Sequence, residues 1–133
     1  MDCIFCKLAK GEIPAAKVAE TDDVLAFLDI SPANKGHIII IPKQHAERVD
    51  EIDEKTFGEM AILASRLAKR LMQVVKPDGY NILVNNAEAA GQEVMHLHLH
   101  VMPRFDSDDF AFRWTHKKYG NGEMQELAEK LRL

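Results

Sequence analysis

The sequence predicts an α+β domain: a mainly antiparallel five-stranded sheet with one long helix and short terminal helices. Five short segments rich in apolar and β-branched residues are typical of strands, and few helical segments separate them. One longer stretch repeats its apolar residues every three or four positions, as an amphipathic helix does. A doubly wound parallel sheet would need more alternating helices, so the antiparallel arrangement is favoured.

The N-terminal part of the chain predicts a short helix followed by three strands. The turn-forming residues 10–14 (KGEIP) end the helix. Residues 21–23 (TDD) and 31–36 (SPANKG) have the composition of connections. The strands between these breaks are predicted at residues 17–20, 24–30 and 37–41.

The long helix is predicted at residues 53–75. Asp53 is suited to cap its first turn, and residues 76–79 (KPDG) supply a stop signal. The apolar positions recur at helical spacing and define one buried face. They are Phe57, Met60, Ala61, Ala64, Leu67, Ala68, Leu71, Val74 and Val75.

The last two strands are predicted at residues 80–84 and 94–102, with a small and polar segment between them. A hairpin-like return would place these strands side by side. A short terminal helix is predicted at residues 123–131. Residues 1–133 are expected to form a single domain, with residues 104–133 as a C-terminal extension.

Composition narrows the class of partner. The 133 residues are 47% hydrophobic and 29% charged, which is ordinary for one globular domain. A formal charge of −4 offers no cationic field for a nucleic-acid backbone, so no polynucleotide partner is expected, whereas a small phosphorylated ligand needs few donors. No apolar stretch approaches the roughly 18 residues that span a bilayer, and no leader is evident; we expect a cytoplasmic protein without a membrane partner.

Three histidines alternate with leucines at residues 96–100 (HLHLH). Because side chains on a strand alternate between faces, His96, His98 and His100 are expected to share one face, opposite the core. Three interpretations are open: a solvent-facing strand, a catalytic zinc held by all three imidazoles, and nucleophilic attack by one neutral imidazole. The last is favoured, because three clustered imidazoles have no evident structural purpose.

The histidine run continues as residues 96–102 (HLHLHVM), which resembles the signature of the histidine triad (HIT) family. Within that family, the chain is similar to bacterial zinc-containing members that resemble nucleoside phosphoramidate hydrolases. The resemblance extends over nearly the whole chain and implies the HIT-like fold. Further matching segments are residues 4–7 (IFCK), 11–14 (GEIP), 25–32 (LAFLDISP), 36–37 (GH), 41–43 (IPK) and 91–92 (GQ).

The resemblance implies that His98 attacks the α-phosphorus of a purine nucleoside phosphoramidate and forms a nucleotidyl-histidine intermediate that water cleaves. Imidazole is a competent nucleophile near neutral pH, and His100 is implied as a donor to a phosphoryl oxygen. Asp29 is implied at the ribose hydroxyls and Ile30 against the base. The other implied nucleotide-binding residues are Phe5, His37, Asn85 and Gln92, with Leu8 and Phe27 as further candidate pocket walls. For the apolar walls, ordinary core packing is an equal alternative.

The cysteine pair predicts either a metal site or a redox site. Cys3 and Cys6 have the spacing of two zinc thiolates, but they supply only half of a closed tetrahedral site. The redox interpretation needs a thioredoxin-like context that this N-terminus does not show. The resemblance implies that His45 and His96 complete the set, so that a structural zinc ion fixes the segment that carries His98.

One departure from the family pattern concerns position 93, which is Glu where better-known animal members carry a small hydroxyl residue beside the phosphate. A carboxylate there either repels phosphate or points away. The resemblance also implies a homodimer whose C-terminal residues, with Arg113 and Trp114 as candidates, reach toward the partner's active site. His116 is expected on the surface.

The motif leaves the leaving group open. A dinucleoside polyphosphate hydrolase or a nucleotidyl transferase would use the same nucleophile. A non-catalytic nucleotide-binding regulatory module is an alternative of another class, because a motif does not report a rate.

Overall fold

The computed structural model of the protein describes residues 2–133. Within them the helices are α1 (Ile4–Ala9), α2 (Glu54–Val74) and α3 (Glu123–Leu131). The strands are β1 (Lys17–Glu20), β2 (Val24–Leu28), β3 (Ile38–Pro42), β4 (Gly79–Val84) and β5 (Leu99–Arg104). Single 3₁₀ turns lie at Val49–Glu51 and Glu88–Ala90.

The strands form one five-stranded sheet in the order β1-β2-β3-β5-β4, and every neighbouring pair is antiparallel. The chain leaves the sheet after β3, forms α2, returns as edge strand β4 and then inserts β5 between β4 and β3. The predicted α+β class, with one long helix and short terminal helices, is confirmed.

Strand β3 separates two apolar cores because its side chains alternate between the faces of the sheet. Ile38 and Ile40 belong to a core beneath α2, which also contains Met60, Ala64, Ala68 and Leu71. Ile39 and Ile41 belong to the core on the opposite face, beside α1, with Phe5, Leu8, Leu25 and Phe27. The long helix therefore covers one face of the sheet, and the other face is left for the short α1 and for a cavity.

Helix α2 begins where its sequence predicts. The Asp53 carboxylate accepts the Thr56 backbone N–H at 2.9 Å, which satisfies a free donor of the first turn. The C-terminal end of α2 packs closely on Gly36, which has φ +101°. A Cβ at Gly36 would lie 3.1 Å from Val75 Cγ2, so both the backbone conformation and the space favour glycine there.

The strand predicted at residues 94–102 begins later and ends later than predicted. Residues 94–98 are not part of a strand, and β5 continues to Arg104. Strand β5 begins at Leu99 because the Leu97 N–H donates to Ala46 O, outside the sheet, at 2.6 Å. The alternation of side chains nevertheless persists, and Leu97 and Leu99 are both buried in the core beneath α2. The strand predicted to end at residue 30 also stops early, at Leu28, because the chain turns at Asp29.

The C-terminal extension is joined to the sheet by an arginine clasp. Arg104 Nε and Nη2 donate to the two carboxylate oxygens of Asp108 at 2.8 and 3.0 Å, and the guanidinium carbon lies 3.8 Å from the Phe110 ring centroid. Asn34 Nδ2 also donates to Asp108, at 3.0 Å. Beyond this clasp every residue from 111 to 133 is exposed, including the apolar side chains of α3. None of the helices in residues 2–133 is long and apolar enough to cross a membrane.

Candidate functional site

A cavity of about 550 Å³ opens on the α1 face of the sheet. Its lining is mostly apolar, with a few polar side chains. The apolar lining includes Ile4, Phe5, Leu8, Ile13, Phe27 and Ile39. The polar lining includes Asp29, Ser31, Glu93, His98 and His100. A cavity of this size with a mostly apolar lining and few polar groups is typical of a site for a small organic ligand.

His98 is held with one ring nitrogen bonded and the other free. The side chain is only 6% exposed, and its Nδ1–H donates to the His96 carbonyl at 2.7 Å. Within residues 2–133, Nε2 has no hydrogen-bond partner, so its lone pair is available at the cavity that the ring lines. Burial lowers the pKa of His98 and thereby favours the neutral imidazole that a nucleophile requires.

Phe5 joins the cavity to the N-terminal helix. Its ring meets the His98 ring edge-to-face, with centroids 5.1 Å apart and planes at 77°. The same ring lies 5.9 Å from the His96 ring centroid. Phe5 is therefore both core and cavity wall, so the two interpretations of its role are compatible.

His100 is oriented by a second histidine. The Ala33 N–H donates to His37 Nδ1 at 3.1 Å, so the proton of His37 is on Nε2. That Nε2–H donates to His100 Nδ1 at 2.8 Å, which leaves His100 with its own proton on Nε2. Burial lowers the pKa of His37 and lowers that of His100 to about 4, so both rings are neutral and His100 presents a free N–H donor.

Asp29 and Ile30 lie at the edge of the cavity. The Asp29 carboxylate accepts the Ser31 N–H at 2.9 Å, and its other oxygen is 3.7 Å from His37 Nδ1. The Ile30 side chain is 98% exposed although it lines the cavity. An isoleucine in that position has apolar surface available to a ligand.

The two amides predicted to contact nucleotide have different surroundings. Gln92 is buried: its Oε1 accepts the Ala87 N–H at 2.7 Å, and its Nε2 donates to the carbonyls of Glu47 and Val94. These bonds use both amide hydrogens, which favours a role in shaping the loop over direct contact with a ligand. Asn85 is half-buried beside Gly91, and its amide makes no hydrogen bond within residues 2–133. It keeps free donors, but it does not line the cavity that contains His98.

The four predicted metal ligands come together in one cluster. The ligand atoms of Cys3, Cys6, His45 and His96 all lie within 4.8 Å of one another. His96 Nδ1 is 3.3 Å from Cys3 Sγ and 3.2 Å from His45 Nδ1, and Cys6 Sγ is 3.3 Å from His45 Nδ1. A tetrahedral zinc ion with ordinary bond lengths places its ligand atoms about 3.3–3.8 Å apart. Four of the six pairs, at 3.2–3.5 Å, are close to that range, and the separations reach no more than 4.8 Å. Two thiols and two imidazoles are a donor set that suits zinc, and the ion would draw the wider pairs together.

The His96 tautomer also suits a metal. Its Nε2–H donates to the Pro42 carbonyl at 2.8 Å, so the Nδ1 lone pair faces the cysteines. The thiol of Cys6 is in a site that disfavours its ionisation, because burial and the neighbouring Cys3 raise its pKa. A divalent cation would reverse that preference and favour the thiolate.

The histidines of the triad thus separate. His96 is fully buried and directed to the cysteines, whereas His98 and His100 line the cavity. This arrangement argues against a zinc ion shared by all three and against a solvent-facing strand. His116, in contrast, is exposed as expected.

Several contributions to this site have no sequence signal of their own. They are the backbone groups of Ala33, Pro42 and His96, which set the imidazole tautomers. Any residue type supplies a carbonyl, and the Pro42–His96 contact spans 54 positions. Ala87 was also missed: it adopts φ 77°, which is unusual for a residue with a Cβ, and the Gln92 side chain bonds its N–H.

The sequence matches a known domain family and several named proteins. The model of the HIT domain family matches residues 10–107. An adenosine 5'-monophosphoramidase of Schizosaccharomyces pombe is 37% identical over 132 residues, covering 98% of this chain and 96% of that protein. An adenylylsulfatase of Arabidopsis thaliana is 37% identical over 107 residues, covering 80% of this chain and 54% of that protein.

Solved structures share the fold, and one of them is described as Zn-bound. A HIT family member from Bacillus subtilis has a TM-score of 0.92 at 39% identity, covering 100% of this chain and 98% of that one. A Zn-bound histidine triad family protein from Mycobacterium smegmatis has a TM-score of 0.78 at 36% identity, covering 88% of this chain and 85% of that one.

Proposed function

Because the chain belongs to the HIT domain family, we propose that it is a hydrolase of purine nucleoside phosphoramidates that acts through a nucleotidyl intermediate on His98. The observation that carries the proposal is a buried neutral imidazole whose free Nε2 lone pair is available at a mostly apolar cavity. The relative from S. pombe is named as an adenosine 5'-monophosphoramidase, which supports a phosphorus–nitrogen bond as the bond that is cleaved.

The first step is substitution at phosphorus. His98 Nε2 donates its lone pair to form the N–P bond, the P–N bond of the substrate breaks, and its electron pair stays with the leaving nitrogen. That nitrogen takes a proton from solvent and departs as an amine. The His98 Nδ1–H remains bonded to the His96 carbonyl and stabilises the positive charge that develops on the ring.

The second step restores the enzyme. Water attacks the same phosphorus, its proton passes to solvent, and the P–N bond to His98 breaks with return of the electron pair to Nε2. The products are a nucleoside monophosphate and a free amine, and no proton is gained or lost by the protein overall. The free Nε2–H of His100 donates to a non-bridging phosphoryl oxygen in both steps.

The nucleoside is assigned to the apolar part of the cavity. The base packs among Phe5, Phe27 and Ile30, and the Asp29 carboxylate accepts from the ribose hydroxyls. Within the cavity lining, few side chains offer specific hydrogen bonds to a base edge. Recognition of a purine therefore rests on ring size and packing. Asn85 lies outside the lining of this cavity, so the contact with nucleotide that we assign to its free amide would be with a part of the ligand that extends beyond the cavity.

We further propose that Cys3, Cys6, His45 and His96 hold a structural zinc ion. The Zn-bound relative from M. smegmatis and the clustering of the four ligand atoms within 4.8 Å support this. Such an ion would tie α1 to the segment that precedes β5, and it would have no contact with substrate. Its role is to keep the His96 carbonyl where the His98 ring is bonded.

The proposed function is tested with a panel of adenosine and guanosine phosphoramidates, a dinucleoside polyphosphate, adenylyl sulfate and a nucleotide sugar. Steady-state turnover is measured on the metal-loaded protein. The covalent adduct is measured by intact-mass spectrometry after rapid quenching without acid. We expect the phosphoramidates to be hydrolysed fastest, with a nucleoside monophosphate adduct on His98. Binding of nucleotide without adduct or turnover would instead indicate a non-catalytic module, and preference for the polyphosphate would contradict the proposed substrate class.

We also propose a homodimer. Edge strand β4 exposes Tyr80 and Ile82, and the apolar residues of α3 are exposed within residues 2–133. A second copy would cover both features, because an uncovered apolar strand edge is prone to association. Light scattering is expected to give twice the chain mass for the wild type and a lower mass for Ile82→Glu. A monomeric wild type would contradict the proposal.

A further inference from the structure

Glu93 occupies an unusual position between two depressions. It lines the cavity that contains His98, and it also lines a second, more open depression of about 520 Å³. The other residues of that second depression are Glu88, Gly91, Gln92 and Met95. Glu93 is exposed and makes no salt bridge within residues 2–133. Its charge is therefore available to a ligand that reaches the boundary between the two spaces.

The side chains that line the candidate site include carboxylates but no lysine or arginine to pair with an anionic substrate. Neither depression is lined by a lysine or an arginine, whereas Asp29, Glu93 and Glu88 are present. Asp29 is already engaged by the Ser31 N–H and lies near His37. A substrate with several phosphates, or with a sulfate, would find no cation for its second anionic group and would meet carboxylates instead.

The position of the nucleophile indicates which part of the substrate meets Glu93. His98 is 6% exposed with an unpartnered Nε2, so the reacting phosphorus must lie inside the cavity beside this ring. The base and ribose need the apolar part, which α1 and β2 line. Glu93 is a residue that both spaces share, so we place the leaving group, which the apolar part does not hold, along the boundary that Glu93 forms.

We infer that Glu93 determines leaving-group specificity: it favours amines that carry a second, positively charged group and disfavours leaving groups that carry additional negative charge. This inference rests on the proposed function of His98. It names the substrate class more narrowly, as nucleoside phosphoramidates of diamines or other cationic amines. Glu88 contributes to the same field from the second depression, at longer range from the nucleophile.

The test uses three adenosine phosphoramidates that differ only in charge at the end of the leaving group: 1,4-diaminobutane, butylamine and 4-aminobutyrate. The ratio of their kcat/KM values is measured for wild type, Glu93→Gln, Glu93→Lys and Glu88→Gln. Glu59→Gln is a matched control, because Glu59 is on α2 across the sheet from the cavity. Zinc content and melting temperature are recorded for each protein to verify that the fold is retained.

We expect the wild type to prefer the diamine, then the neutral amine, then the carboxylate, with about a fivefold difference per unit of charge for an exposed ion pair. Glu93→Gln should bring the three values close together, Glu93→Lys should reverse their order, and Glu59→Gln should keep the wild-type ratios. The wild-type preference should also shrink between about 0.1 M and 1 M salt, as the screening length falls from about 10 Å to about 3 Å.

The outcomes distinguish the two levels of the proposal. If all three compounds are hydrolysed and Glu93→Gln keeps the wild-type ratios, the role of Glu93 is refuted while the proposed function stands. A preference that persists in Glu93→Gln and disappears in Glu88→Gln also refutes the assignment to Glu93. Failure of the wild type to hydrolyse any of the three compounds would overturn the proposed function, and this inference with it.

Discussion

His96 and His98 are two residues apart, yet their imidazoles lie in different surroundings. Each ring donates one N–H to a backbone carbonyl, but the nitrogens used are opposite. His96 donates from Nε2 to Pro42 and leaves Nδ1 for the cysteines. His98 donates from Nδ1 to His96 and leaves Nε2 free at the cavity that its ring lines. The position of a backbone carbonyl therefore determines which lone pair an imidazole offers, and so what the imidazole can bind or attack.

The largest expected effect is the loss of turnover when the cavity histidine, His98, is replaced. His98→Ala removes the proposed nucleophile, so kcat for an adenosine phosphoramidate should fall by about 10³–10⁵-fold. The fold loses the hydrogen bond to the His96 carbonyl and the edge-to-face contact with Phe5, which together cost about 1–3 kcal/mol of unfolding free energy. Single-turnover kinetics with mass spectrometry should also show that the nucleotidyl adduct is absent.

The control for this variant is its metal content. His98 is directed away from the cysteine cluster, so His98→Ala should bind as much zinc as the wild type. A His98→Ala protein that hydrolyses the phosphoramidate at the wild-type rate would refute the assignment of the nucleophile.

The next largest effect is the loss of zinc and of stability when a residue of the cysteine–histidine cluster is replaced. Cys3→Ser and His45→Ala each remove one proposed ligand, so the purified proteins should contain less zinc and unfold more easily. An ion present at 1,000 times its dissociation constant stabilises the native state by about 4 kcal/mol, which sets the scale of the loss. Elemental analysis and urea denaturation measure the two quantities.

The exposed His116 provides the matched control, because His116→Ala removes an imidazole that is outside the cluster. Its zinc content should equal that of the wild type. If Cys3→Ser, His45→Ala and His116→Ala all retain one equivalent of zinc, the ion is held elsewhere and the proposed ligand set is wrong.

The smallest effect is the pH dependence of stability that the buried His100 contributes. The folded-state pKa of His100 is about 4, below the ordinary value of 6.5, because burial disfavours the charged ring. Between these values the unfolded chain binds more protons than the folded one, so stability is complete above about pH 6.5 and decreases as the pH falls toward 4. After allowance for partial exposure, the loss should be about 2 kcal/mol.

This pH dependence is measured by urea denaturation between pH 7 and pH 4 for the wild type and His100→Asn. The variant lacks the titrating ring, so its unfolding free energy should fall less over this range. Equal losses in the two proteins would mean that His100 is not held neutral by the fold.

Local pattern was sufficient for most of the fold and for the division of the histidine run into two faces. Helix α2 lies where its periodicity and its capping residue predict it, and strand β1 and helix α3 lie where their composition and the neighbouring turn residues predict them. Leu97 and Leu99 are buried as the alternation requires. These features depend on residues that are neighbours in the chain, so their signal is present in a short window.

What the pattern did not predict depends on distant contacts. The late start of β5 results from a bond between Leu97 and Ala46, and the His100 tautomer depends on His37, which is 63 positions away. Family resemblance named His37 and His45 as site residues, but their distances and bonded nitrogens required coordinates. The engagement of the Gln92 amide with three backbone groups likewise has no signature in its neighbours.

The distance along the chain between Cys3 and His96 has a consequence for biosynthesis. The two residues are 93 positions apart, so both thiols leave the ribosome well before the imidazole that meets them has been made. Helix α1 packs on β2 and β3, but its contact with His96 forms only after residue 96 has been translated, because long-range contacts need the intervening chain. The cavity wall that α1 supplies is therefore completed late. A nascent chain interrupted before residue 96 would carry both thiols without His96 to join them and without His98 and His100 at the cavity.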